Sequence, residues 1–577
     1  MQESGDPVSG AGWSNSFGRI LAGILGLSLL LAPPALARDK KPKTIAGLPE
    51  AKALALGERM YREGILPSGE PMQSVVSTDV PVAGTSFSCA SCHLRGGLGS
   101  WEGGIVTLPT NGAKLAQPRY WKFPNLSPEE RAELKLQNPQ ARPAYTDPAL
   151  ARVIRVGIDP SGYELHAAMP RYELKDKDMA VLVHYLRNLS AEWSPGVDAT
   201  TIRFATVITE EVRPEDQEAM LAPMNNYVAR HNQLSSGFGN RMYLAPGGSE
   251  MSGAYRKLSL SVWRLKGAPE TWDRQLSAYL AKEPVFALLG GISYGEWRPI
   301  HTFCENHRLP CLFPLTDLPV VSETDWYTQY FSKGYYQEGQ AAARYLQSLD
   351  ERAATERVLQ IVQEGPEGRD LSAGFRETWQ ELGLGVAKQI RLGKGEQVDA
   401  VTLGAILQRE QPTAVLLWTD ASCFEALGDL AGRPEMPKFV FLASSRLGAQ
   451  IYKLPEQARP FTWLTYPYRD PQVEPNVSKY ANSLFAGFTN RNPETRIATR
   501  TYSMIQILIQ GLMDMDRNYY RDNFMDRIGM QRDQVLPDYL RLSFGPGQRY
   551  ASKGCYIMQL SPGPEPRLVR KSEWVTH

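Results

Sequence analysis

The most specific chemistry in this sequence lies in five consecutive residues, Cys89-Ala90-Ser91-Cys92-His93. Two thiols three positions apart can reach the two vinyl groups of one porphyrin. The adjacent histidine then lies beneath the ring, where an imidazole nitrogen binds iron. The pattern reads as covalent attachment of one haem c through Cys89 and Cys92, with His93 as an axial iron ligand. A zinc site would need a second Cys/His pair nearby, and none follows. A thioredoxin-like pair would sit in a βαβ setting, whereas the flanks here are glycine-rich. The sixth iron ligand comes from Met60, Met72, Met169, Met179, His166 or His184. Met169 lies in Ala168–Tyr172, a loop that Pro170 stiffens and keeps out of a helix. Met179 falls on an apolar helix face, and His184 falls mid-helix.

Other catalytic signatures are missing from the sequence. It has no P-loop, G-x-G-x-x-G, G-x-S-x-G or H-E-x-x-H. Beyond residue 200 the histidines are His231, His301, His307 and His577. A histidine-based catalytic centre is not expected there, and the chain reads as a carrier and binder rather than an enzyme. Six cysteines are too few for a disulfide scaffold. Cys304 and Cys311 stand at a helix-to-strand turn, where they either close a disulfide or pack as two buried thiols.

These residues need elements to position them, and 577 residues are too many for one core. Hydrophobic residues make up 42% and charged residues 22%, so most of the chain should fold. Net charge is +1, which argues against nucleic acid as a partner. Mean hydropathy is −0.34, and one segment, Ile20–Ala37, is apolar enough to meet a membrane. Pro33 and Pro34 break it, and Ala35-Leu36-Ala37 makes a small-x-small cleavage pattern before Arg38. Residues 1–37 therefore read as an export signal, with an uncleaved anchor as the alternative. The expected location is the periplasm.

Around the haem motif, Leu48–Tyr61 and Asp176–Leu189 have helical periodicity. With Gly57 and Tyr61 in the first and Tyr185 in the second, residues 43–189 resemble class I monohaem c-type cytochromes. The resemblance implies an all-α domain in which a small residue and an aromatic mark the crossing of first and last helices. It also selects Met169 as the second axial ligand. A His/Met pair leaves no open coordination site and favours electron transfer.

Residues 190–200 read as a linker. Strand-like and helix-like runs then alternate from Thr201 onward: strands at 201–208, 258–265, 285–290, 311–315, 358–363, 414–419 and 438–443, helices between them. Such alternation specifies parallel sheets covered by helices. Val285–Gly291, Cys304–Phe313, Tyr335–Leu349, Gly374–Gly383 and Thr501–Leu512, in that order, resemble type 1 periplasmic binding proteins, the branched-chain amino-acid receptors of ABC importers. The resemblance implies an α/β two-lobed fold over residues 201–577 with a ligand cleft between the lobes. Open α/β sheets bind ligands beyond the C-terminal ends of their strands. There, Ser293, Tyr294 and Thr316 can hold a carboxylate, and Asp420 or Glu210 an ammonium group.

The expectation is an exported haem c electron-transfer protein fused to a module for a small solute such as an amino acid. Its redox partner would be a dehydrogenase or another cytochrome. The alternatives are a solute receptor of an ABC importer with an accessory haem domain, and the cytochrome subunit of a periplasmic dehydrogenase.

Overall fold

A computed structural model describes residues 44–576, apart from 78, 103–104, 120–128, 130–140, 243–255, 350–355, 394 and 471–495. The export segment at 1–37 and part of the proline-rich stretch after the haem motif lie outside the described residues.

The N-terminal domain is built on two crossing helices, α1 (Glu50–Glu63) and, at its end, α4 (Asp176–Asn188). They meet at Gly57: a Cβ there would lie 2.5 Å from Tyr185 Cβ and 2.9 Å from Val181 O, so only glycine allows the approach. Tyr61 and Tyr185 pack beside it with ring centroids 5.5 Å apart. The expected small residue and aromatics thus sit at the crossing. Between these helices come strands β1 (Gln73–Val76) and β2 (Val80–Ala83), the short helix α2 (Cys89–His93), α3 (Asp147–Val156) and strand β3 (Arg171–Tyr172). Thr146 caps α3, accepting from Ala149 N at 3.3 Å.

The all-α expectation needs correction, because β2-β1-β3 form a three-stranded antiparallel sheet. Its strands are two to four residues long and partly exposed, and Pro81 interrupts β2, so none registers as a strand run.

The first lobe of the second domain is a five-stranded parallel sheet. Its strands are β4 (Thr201–Thr209), β5 (Lys257–Leu265), β6 (Ala287–Leu289), β7 (Cys311–Leu312) and β8 (Thr328–Gln329), in the order β8-β7-β6-β4-β5. Helices α5 (Pro214–Met242), α6 (Trp272–Lys282) and α7 (Arg298–Asn306) connect them. Phe204, Phe286, Leu288 and Leu312 are fully buried, as expected where helices cover both sheet faces.

The chain then enters the second lobe through α8 (Tyr335–Ser348). There β9 (Val358–Gln363), β10 (Lys388–Leu392), β11 (Ala414–Trp418), β12 (Phe439–Ala443) and β13 (Thr462–Tyr466) run parallel, flanked by α9 (Pro366–Glu381), α10 (Ala400–Glu410) and α11 (Cys423–Leu430). Helices α8 and α9 touch backbone to backbone: a Cβ on Gly339 would lie 2.1 Å from Leu371 O. The long helix α12 (Ile497–Asp514) returns to the first lobe and packs on α5. After α13 (Arg521–Gly529) the chain crosses again. β14 (Gly554–Leu560) then adds antiparallel to β13, and β15 (Leu568–Arg570) and β16 (Val575–Thr576) pair with β14. At the hinge two crossing segments run side by side, with Tyr330 N donating to Arg549 O at 2.8 Å and Ser552 N to Phe331 O at 2.7 Å.

The expected linker is part of this architecture rather than a free tether. Gly196 adopts φ +91°, and a Cβ there would lie 2.1 Å from Phe286 N. Ser194 N donates to Tyr519 O at 3.0 Å, Ser194 Oγ accepts from Arg521 N at 3.0 Å, and Val197 bridges Ile202.

Candidate functional site

Helix α2 is a single turn that places Cys89 half-buried and Cys92 exposed, as separate thiols. His93 Nδ1 lies 2.7 Å from the carbonyl oxygen of Leu108. Donation to that carbonyl fixes the tautomer and leaves Nε2 free to bind a metal. Burial pushes the His93 pKa down to about 4, which keeps the imidazole neutral. The loop after the motif is braced from below: Tyr61 Oη donates to Leu94 O at 2.8 Å, and Gly99 N to His93 O at 3.0 Å.

The loop carrying Met169 is pinned at three points. Met169 N donates to His166 O at 3.0 Å, and Ser77 N to Ala167 O at 3.1 Å. Arg171 ties the loop across its base, donating to Met169 O at 2.6 Å and Leu165 O at 2.7 Å. Tyr172 connects it to the haem motif, since its hydroxyl donates to Phe87 O at 2.5 Å. Met60, Met72 and Met179 are buried in the domain core. His184 Nε2 faces Glu50 at 3.4 Å, and His166 is exposed. Paired thiols on one helical turn, a tautomer-fixed imidazole and a braced methionine loop make a donor set that fits haem c.

The motif's far side rests on the second domain. Gly96 N donates to Asp526 Oδ2 in α13 at 2.8 Å. Asp522, one turn earlier, receives Arg62 at 2.6 Å, the Tyr327 hydroxyl at 2.9 Å and Arg95 at 3.9 Å. Arg95 lies over the Trp326 ring at 4.1 Å, and Arg308 pairs with Glu58 at 2.7 Å. Burial pushes Asp522 upward, but Arg62 and Arg95 outweigh it and hold the carboxyl below its ordinary range. At Asp526 burial outweighs the Gly96 and Arg95 amides and the Arg95 charge, and raises the pKa to about 6.

In the cleft, Ser293 and Tyr294 come together on Glu211, just past the C-terminal end of β4. Ser293 Oγ donates to Glu211 Oε1 at 3.0 Å and Tyr294 N donates to it at 3.2 Å. The Tyr294 hydroxyl bonds Asp216 and accepts from Arg213 Nε at 3.1 Å. Thr316 is engaged elsewhere, its hydroxyl accepting from Leu318 N at 3.0 Å. Asp420 accepts from Ser422 N at 3.0 Å and Gln363 Nε2 at 3.4 Å on the second lobe. Glu210 accepts from Gly267 N at 2.9 Å. The lobes touch through an Arg369–Glu296 ion pair beside a cavity of about 190 Å³ lined by Arg298, Asp370 and Leu318–Val320. Cys304 and Cys311 are two buried thiols in side-chain contact, not a disulfide.

Tyr172, Leu108, Asp522 and Asp526 had no sequence signal, because each acts through a partner distant in the chain.

A C-x-x-C-H helix in a small helical domain, followed by two parallel-sheet lobes joined by hinge strands, defines a haem-binding module fused to a two-lobed binding fold. Comparison with protein families agrees on both halves: the cytochrome c model matches residues 84–190, and the periplasmic binding protein model matches residues 257–554, just over half of the chain. The chain belongs to the periplasmic binding protein family and carries a cytochrome c domain, which implies a covalently bound haem c. The structure starts the binding fold earlier than that match, because β4 sits inside the first-lobe sheet. A search of curated proteins gave no match.

Among solved structures, the chain is similar to a putative branched-chain amino acid ABC transporter from Rhodospirillum rubrum (13% identity, 64% of this chain and 100% of that one, TM-score 0.46). It is similar to a branched-chain amino acid ABC transporter from Thermus thermophilus with bound valine (14%, 66% and 98%, 0.44). A further likeness is to a solute binding protein from Rhodopseudomonas palustris BisB5 in complex with 3,4-dihydroxy benzoic acid (12%, 65% and 98%, 0.44).

Proposed function

We propose that this chain is an exported electron-transfer protein with one covalent haem c, coupled to a small-molecule-binding module. Cys89 and Cys92 hold the haem, and His93 and Met169 are its iron's axial ligands. Bound haem supplies one-electron transfer with a redox partner protein, a dehydrogenase or another cytochrome. This chain's residues position that group. Leu108 orients His93, Arg171 sets the height of the Met169 loop, and Tyr172 joins that loop to the motif. The two matched domains point to an extracytoplasmic location, and export through residues 1–37 belongs to the proposal. No helix of the described residues is long and apolar enough to cross a membrane.

The observation that carries the coupling is the seat of Arg95 and Gly96 on α13. The loop leaving the iron-binding histidine is bonded to the binding domain directly, and tethering alone would not require this. Two-lobed receptors close by hinge motion, and here Tyr327, next to the hinge strands, also touches Asp522.

The test uses the full-length haem-loaded protein. A panel of amino acids, amines, alcohols and aromatic solutes is screened by thermal shift, and the haem potential is then measured with each stabilising solute. A solute with tenfold preference for one oxidation state shifts the potential by about 59 mV. A saturating solute that leaves both potential and partner-reduction rate unchanged overturns the coupling. A panel without a stabilising solute counts against the binding module.

A further inference from the structure

Three donors converge on one carboxylate oxygen at the C-terminal ends of two adjacent first-lobe strands. Glu211 Oε1 accepts from Thr209 Oγ1 at 2.5 Å, Ser293 Oγ at 3.0 Å and Tyr294 N at 3.2 Å. Thr209 closes β4. Ser293 follows Ile292, which bridges both Ile208 and Leu315. Thr209 and Ser293 are buried, 1% and 4% exposed, whereas Glu211 is exposed. The donors are therefore fixed in the sheet, and the carboxylate reaches them from the open side, as a diffusible anion would.

We propose that Glu211 is a built-in occupant of an anion site formed by Thr209, Ser293 and the Tyr294 amide, so that the cleft refuses ligands through a free carboxylate. The inference rests on reading the inter-lobe cleft as the solute site.

Charge-assisted hydrogen bonds to a carboxylate are about twice as strong as neutral ones, and three on one oxygen use up the local donors. Partial burial pushes Glu211 upward, but the Thr209 and Ser293 hydroxyls outweigh it and hold the carboxyl below its ordinary range. The occupant is therefore charged at neutral pH. An incoming carboxylate meets a filled site and a like charge, and discrimination by such repulsion is a recognised route to specificity. Its neighbours add no compensating cation. Arg213 is turned to Asp216 and Tyr294, and Glu210 to Gly267. The class that remains is neutral or cationic: an alcohol, an amide or an amine.

Chemical rescue tests this, with acetate as the probe and ionic strength held constant with chloride. Glu211→Ala in the full-length protein is expected to lower the melting temperature, and acetate is expected to restore part of it saturably. The wild type is expected to show no saturable stabilisation by acetate. Adding Ser293→Ala to Glu211→Ala is expected to abolish the rescue. A Glu211→Ala protein that ignores acetate overturns the proposal, because the donors would then form no anion site. Saturable stabilisation of the wild type by acetate overturns it as well, and that arm stands even if the variant does not fold. Rescue is read without any natural solute, so its outcome is separate from whether the wild type binds one.

Discussion

The backbone amide of Gly96, three residues past His93, donates to the buried carboxylate of Asp526 at 2.8 Å across the domain boundary. The approach is close enough that a Cβ on Gly96 would lie 2.9 Å from Asn523 N. Glycine is needed here for space. The haem loop and α13 are therefore packed as one body, with Asp522 and its partners Arg62, Arg95 and Tyr327 around the contact.

Asp526 makes this contact pH-sensitive. Its folded pKa is raised from the model-compound 3.8 to about 6 by burial, with the Gly96 amide opposing. The charged groups facing it are Asp522 and Arg95, with Tyr61 and Arg549 further off. Between pH 4 and 6 the folded state holds a proton that the unfolded state has lost, so this group's contribution falls as pH rises. Asp526→Asn keeps an oxygen for the Gly96 amide and removes the titration. Relative to wild type, the variant is expected to gain about 2 kcal/mol of stability on going from pH 4.5 to pH 7. Denaturant melts at the two pH values check it; equal differences at both would rule Asp526 out.

Met169→Ala is expected to retain covalent haem but lose the low-spin, sulfur-ligated absorption, with a lowered potential, because the other methionines are held in the core. Arg171→Ala should produce a partial version, since it frees the Met169 carbonyl from its guanidinium. An unchanged spectrum in Met169→Ala would move the ligand to His166.

Cys304 and Cys311, both fully buried, are expected to titrate as thiols together with Cys423 and Cys555. Thiol counting on denatured, unreduced protein should give four outside the haem pair. A count of two would mean that the facing sulfurs have oxidised, a change worth about 2 to 3 kcal/mol on the chain-entropy estimate.

What the sequence made legible was local. The C-x-x-C-H turn carries its chemistry in five adjacent residues, and Gly57, Tyr61 and Tyr185 mark a helix crossing by size and spacing. The parallel strands Thr201–Thr209 and Lys257–Leu265 announce themselves by alternating apolar, largely β-branched or aromatic residues. Helix α13 does not: Arg521, Asp522, Asp526 and Arg527 make it read as a solvated surface, yet Asn523 and Asp526 are buried. Its polar face is covered by another domain, and the residues that satisfy it lie far away in sequence. Glu211 was legible as a strand-end position but not as the acceptor of these donors, because a loop carboxylate resembles any other until the donors of two strands meet on it. The edge strand β10, Lys388–Leu392, is half polar and gave no apolar run.

The wedge at Gly196 and the buried carboxylates of helix α13 limit how this protein can be inherited. The two families it joins are each found as a continuous stretch of sequence, which suggests a chain divisible near residue 200. Yet the haem loop is completed by a carboxylate 430 residues further along. A gene fragment ending at the apparent boundary would encode Arg62, Arg95 and Gly96 without their counter-surface. A fragment starting at Thr201 would strand Asp522 and Asp526 without theirs. Recombination could graft this haem domain onto another receptor only where the recipient already carried carboxylates placed to meet Arg62, Arg95 and Gly96.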